Sequence, residues 1–79
     1  MKKNYFQNVM EKLSSEKEEN IQILIKLSFD RLHELRNYYF RLHIDAKDMG
    51  YDEAEQVNYF KYLLIDEAIE VKMGNEALA

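Results

Sequence analysis

His33 and His43 are the only imidazoles in a 79-residue chain that has no cysteine. Thiolate nucleophiles, disulfides and cysteine-ligated zinc are therefore excluded. Acid–base or metal chemistry would have to be built from the two histidines and the carboxylates. Asp30-x-x-His33 sets a carboxylate and an imidazole one turn apart, and Glu67 and Glu70 repeat that spacing further along. Carboxylate-x-x-His on one helix, faced by a carboxylate from the next, is the donor set of half a di-iron helical-bundle site. The apolar pattern argues against it. At about 100° per residue, Asp30 and His33 lie roughly 120–180° from the Leu32/Leu35 stripe, on the water side. No metal or other cofactor is expected, and stoichiometric iron or zinc lost on His33→Ala would overturn that. The chain contains no glycine-rich phosphate loop and no G-x-S-x-G elbow. The expectation is a protein that is not an enzyme.

The elements that would carry these residues are helices. There is no proline, and the two glycines are Gly50 and Gly74. Ser15-Glu16-Lys17-Glu18 matches the S-x-x-E capping box and predicts a helix start at Ser15. Gly50 can adopt the left-handed conformation that closes a helix. Asp52, with Glu55 three residues on, supplies an N-cap and an acidic first turn for the next helix, and Gly74 is placed at its end. A short helix over about 4–13 comes first, with Phe6, Val9, Met10 and Leu13 on one side.

Residues 21–29 alternate like a half-buried strand, yet they also begin a 4-3 repeat: Ile21, Ile25, Ser28, Leu32, Leu35, Tyr39, Leu42, Ala46, Met49. Only Ser28 interrupts its apolar character. A strand would need a partner, and no second alternating run flanked by turn residues exists, so this segment is read as helix. The fold expected is all-α. It has one domain of three helices, over about 4–13, 15–49 and 53–73, with a tail at 74–79. At about 1.5 Å per residue the long central helix would span roughly 51 Å and the last one roughly 32 Å. Joined through Tyr51-Asp52 they form an antiparallel hairpin, which leaves roughly 19 Å uncovered at the Ile21–Leu27 end. The first helix can cover one side of that end. A second copy in a symmetric homodimer is expected to close the rest into a bundle, and the short length points the same way.

The last helix has two apolar stripes. Val57, Phe60, Leu64, Ala68 and Val71 form one, assigned to the central helix. Tyr62, Ile65, Ile69 and Met73 form another, rotated by more than a quarter turn. One helix cannot cover both. The second stripe, extended by Ile23, Leu27 and Phe29, is the expected intermolecular face. Six tyrosines and four phenylalanines cluster in NYF, NYYF and NYFKY, and the hairpin should set Tyr38 and Tyr39 across from about Tyr62 and Leu63. Tyrosine suits either core or interface, because it joins a large apolar body to a hydroxyl that can stay wet.

Charge narrows the choice of partners. Residues 1–44 hold eight Lys/Arg against six Asp/Glu, and residues 45–79 hold three against nine, for a net charge of −4. An acidic C-terminal third argues against a nucleic-acid binder, which needs a basic face. Lys2 and Lys3 could open a leader, but the residues that follow turn polar before an apolar stretch forms. No apolar run approaches the roughly 20 residues a membrane span needs. Together with the absence of cysteine, this makes a cytoplasmic location the expectation.

Tyr5-Phe6, Asn37-Tyr38-Tyr39, Asp66-Glu67-Ala68, Val71-Lys72 and Gly74 resemble the pattern of the YvfG-like family of small, functionally uncharacterised, helical bacterial proteins. The spacing from Tyr38 to Asp66 is similar and the N-terminal spacing is longer here. The resemblance implies an all-helical fold and no known activity. Arg36, the Gly50-Tyr51 turn and Ile65-Asp66 resemble the sporulation aspartyl-phosphate phosphatases, which would make Asp66 the residue that orients a water beside a phospho-aspartate. That family carries Ser-Gln three and two residues before its Leu-Asp pair, where this chain has Tyr62 and Leu63. Bacteriocin-immunity proteins are a further helical analogy, from which three helices would set this chain apart by one. The reading reached is a small regulatory or adaptor protein acting on another protein through helical surfaces.

Overall fold

Asn4 opens the first helix with a reciprocal cap. Its Oδ1 accepts from the Gln7 backbone N–H at 2.8 Å, and the Gln7 Oε1 accepts from the Asn4 N–H at 3.3 Å. In the computed structural model, which describes residues 4–78, four helices follow: α1 (Tyr5–Ser15), α2 (Lys17–Leu24), α3 (Phe29–Asp48) and α4 (Asp52–Leu78). The class is all-α, with no strand among the described residues. Lys2 and Lys3, considered above as a leader, lie outside the described residues, as does Ala79.

The helix count corrects the expectation of three. The predicted central helix over 15–49 is broken at residues 25–28, and the break is built from both sides. Ser28 is extended (φ −65°, ψ 158°), and its hydroxyl oxygen accepts from the Arg31 N–H at 3.1 Å, capping α3. Asp30 sits in the first turn beyond it, where the helix dipole favours an anion. On the other side α2 tightens, with Lys26 N–H bonded to Ile23 C=O and Leu27 N–H to Leu24 C=O. The carbonyls of Ile25 and Leu27 then accept from the Lys72 ammonium at 2.9 and 2.6 Å. A side chain 45 residues or more away in sequence thus serves the end of α2.

The break also answers how one chain covers both stripes of α4. Ile21 of α2 is buried with Leu64 and Ala68, and Leu24, Ile25 and Val71 pack around them. Leu32 of α3 is buried with Ile65 and Ile69, joined by Leu27, Phe29, Leu35 and Tyr39. A straight helix could lie along only one of these faces, whereas a kinked one reaches both. The stripe assigned above to a second chain is therefore the seam of the hairpin, and the stripe assigned to the hairpin receives α2. Ala68, fully buried, lets Ile21 approach closely. The α2 contact is reinforced by Lys17 on Glu67 at 2.8 Å, whose hydrogen bond and charge hold the lysine above its usual 10.5.

Two other boundaries moved. Ser15 does not cap a helix; it is the last residue of α1, its hydroxyl donating to the Lys12 carbonyl at 3.2 Å, and the single residue Glu16 separates α1 from α2. Gly74 does not end α4, which continues to Leu78. Gly50 behaves as expected. It adopts φ +77°, its N–H donates to the Lys47 carbonyl at 3.1 Å, and the Tyr51 N–H reaches back to Ala46 at 2.8 Å. That pair of bonds is a Schellman closure. Tyr51 C=O then accepts from Glu55 N–H at 2.9 Å, starting α4 with Asp52, Glu53 and Glu55 in its first turn.

Among the described residues seven side chains are buried, two of them alanines, and a fully buried Leu or Ile contributes only about 1.5–3 kcal/mol. The molecule measures 47 × 30 × 13 Å with a radius of gyration of 14.0 Å. A compact chain of this length would have about 11.6 Å. α4 lies in the middle, with α3 antiparallel along one side and α1–α2 running along the other. The result is a shallow trough whose floor is α4.

Candidate functional site

The floor of that trough is set by one unusual position. On α4, Val57, Leu64, Ile65 and Ala68 surround Lys61 at helical spacings of three, four and seven, so a lysine stands in the middle of an apolar face. Two hollows meet at it. The lower, about 320 Å³, lies between α1 and the start of α4 and is lined by Tyr5, Phe6, Val9, Glu53, Ala54, Val57, Asn58 and Lys61. The upper, about 210 Å³, is walled by Leu13, Asn20, Ile23 and Leu24 on one side and Tyr39 on the other, over Lys61, Leu64 and Ile65. They form one groove of roughly 17 Å along α4, about three helical turns. Tyr5 and Ile23 are 84% and 62% exposed, and no residue of α1 is buried. The apolar stripe of α1 therefore lines a groove instead of filling a core. The Lys61 ammonium lies 5.4 Å from the Tyr39 ring centroid, a cation–π arrangement.

The opposite edge of the α3–α4 seam carries a ring cluster. Phe40 and Tyr62 lie 5.2 Å apart, His43 and Tyr59 4.8 Å, Phe40 and His43 5.6 Å, and Tyr59 and Tyr62 5.9 Å. The predicted hairpin register is right to within a residue, but its cross-helix partners differ. Tyr39 meets Lys61, and Phe40 takes the ring contact with Tyr62. His43 is half-buried in this cluster, its Nε2 3.8 Å from Glu55 Oε1 and its buried Nδ1 without a hydrogen-bond partner. Below the cluster, Arg36 donates to Asp66 at 3.0 Å. The rings of Phe40 and Tyr59 pack against the imidazole.

The seven residues expected to form an intermolecular face are distributed over the molecule. Ile65 and Ile69 are each 4% exposed within the α3–α4 seam. Leu27 and Phe29 pack at the α2–α3 joint, and Phe29 lies beneath the Lys72 ammonium. Tyr62 belongs to the ring cluster, Met73 is exposed on the far part of α4, and Ile23 reaches the groove, whose floor Ile65 also touches. The carboxylate–histidine quartet is likewise dispersed. Glu67 turns to Lys17 on α2, and Asp30, His33 and Glu70 are exposed. Among the described residues no three His, Asp or Glu side chains are grouped to hold a metal ion.

The sequence reading placed Leu13 and Tyr39 on apolar stripes and passed over Lys61, without bringing the three together in a groove. The available signal was Lys61 itself, a cation inside an apolar face, together with the stripe on α1. Compared with protein-family models, characterised proteins and solved structures, the chain matches none.

Proposed function

We propose that this chain is a non-enzymatic regulatory or adaptor protein that binds an amphipathic helix of another protein along the α4 groove. The observation that carries the reading is the groove, an apolar channel three turns long that α1, α2 and α3 flank without closing. Helix-in-groove recognition uses apolar anchors at three- and four-residue spacing laid into such a channel. Self-association through the same groove is the competing use, and would make the chain a homodimer. The reading places the protein in the cytoplasm, supported by its lack of cysteine. It keeps the kinship with YvfG-like proteins suggested by Tyr5-Phe6, Asn37-Tyr38-Tyr39 and Asp66-Glu67-Ala68.

The aspartyl-phosphate phosphatase alternative has less support, since Arg36 already engages Asp66 and Tyr62 and Leu63 supply no polar pair before it. Four helices remove the difference in number from bacteriocin-immunity proteins, but helix number alone carries no function. The test is a nuclear magnetic resonance titration with a panel of amphipathic helical peptides, preceded by light scattering over a hundredfold concentration range. Binding should shift amides of Val9, Leu13, Ile23 and Leu64, and Ile23→Glu, at an exposed position, should weaken it about tenfold or more with helicity unchanged. If no peptide moves those amides in a monomeric sample, the reading fails.

A further inference from the structure

We propose that the helix taken by the groove carries one carboxylate in the middle of its apolar face, and that Lys61 receives it; this rests on the helix-docking reading above. Among the described residues four cations are half-buried: Lys17, Arg36, Lys61 and Lys72. Three are satisfied by oxygen. Lys17 pairs with Glu67 at 2.8 Å, Arg36 with Asp66 at 3.0 Å, and Lys72 with the carbonyls of Ile25 and Leu27. Lys61 has the face of Tyr39 at 5.4 Å and, among the described residues, no carboxylate within ion-pair distance. Lys61 lines both hollows and is half-buried, so a helix laid in the groove would cover it.

Filling the groove changes that balance. A wholly apolar helix laid over Val9, Val57, Ile23 and Leu64 would strip water from an ammonium and return nothing, which is costly. A carboxylate on the arriving helix would replace that water with a charge-assisted hydrogen bond. Lys61 thus selects by penalty as well as by attraction, rejecting helices whose central position is apolar or basic. Glu53, two turns away on the groove's rim, and the net charge of −4 disfavour a helix with several acidic residues. One carboxylate among apolar anchors is the pattern that fits.

Three helical peptides of about 16 residues, long enough to cover the groove, would share one apolar face and differ only in Glu, Gln or Lys at its centre. Fluorescence anisotropy gives affinities, and amide shifts confirm the groove as the site. The Glu peptide is expected to bind about tenfold or more tighter than the Gln peptide. Lys61→Met should bring that ratio close to one while the Gln peptide still binds, and Lys61→Arg should keep the preference. Lys61→Glu should prefer the Lys peptide, which a merely structural lysine would not produce. Equal binding of Glu and Gln peptides to the wild type overturns the role of Lys61 and leaves helix docking intact. Absence of binding by all three overturns both. Groove shifts that follow protein concentration alone, with no effect of peptide, assign the groove to a second copy and overturn the inference.

Discussion

Ser28 does more to shape this molecule than its size suggests. It is the one polar residue in a repeat that otherwise runs from Ile21 to Met49, and its hydroxyl oxygen is the cap on which α3 starts. Ser28→Ala is expected to cost about 1 kcal/mol in urea unfolding, and Ser28→Asp, which retains an acceptor, much less. The irregularity was visible in the sequence, but the break was not. Residues 24–28 contain no proline or glycine, and what closes the end of α2 is Lys72, far along the chain. A contact of that range leaves no local pattern to read. Asn4 and Gln7 have the spacing of a capping box and form one, whereas the S-x-x-E motif at Ser15 does not, because Ser15 commits its hydroxyl to Lys12 within α1. The Lys17–Glu67 tether has a simple pH dependence. On the alkaline side, because the lysine's folded value is raised above 10.5, the tether survives through the ordinary lysine range and is lost as pH climbs through the raised value.

At the scale of elements, the two glycines separate what local sequence can and cannot specify. Gly50 was legible because a left-handed residue between two helices has few occupants other than glycine. Its φ of +77° is the observed consequence. Gly74 carried the same expectation and proved to lie inside α4, where no neighbour comes within 4 Å of an added Cβ. The two sites therefore predict opposite outcomes for one substitution. Gly50→Ala should lower stability by about 1–2 kcal/mol, the cost of a side chain in the left-handed region. Gly74→Ala should leave stability unchanged or raise it by up to about 1 kcal/mol. Thermal unfolding of the two variants checks both signs. The hairpin register was also legible, since a tight turn and two amphipathic faces leave little freedom. The assignment of the two α4 stripes was not, because it depends on where α2 goes once the chain bends.

Over the whole molecule, stability is divided unevenly. The α3–α4 hairpin holds Leu32, Ile65 and Ile69 in a continuous seam. The α1–α2 arm is held by Ile21 against Leu64 and Ala68, by Lys17 on Glu67 and by Lys72. Local opening free energies follow such differences. Lys72→Met should speed hydrogen exchange in α2 severalfold and leave α3 and α4 little changed; equal acceleration throughout would show that the arm and hairpin unfold together. An arm that opens alone would also remove one wall of the groove, so its attachment sets how much of the groove is formed at any moment.

The Lys72 contact also imposes an order of events on a chain made from its N-terminus. The first helices are made before the residue that caps α2 has been translated, so α2 must wait, unfinished, until Lys72 appears. The expected order is hairpin first, as a local unit, with α1 and α2 docking last, which pulse-labelled hydrogen exchange during refolding would check. A chain stopped just before residue 72 would lose the group that closes α2, so the damage would appear some 45 residues away from the cut.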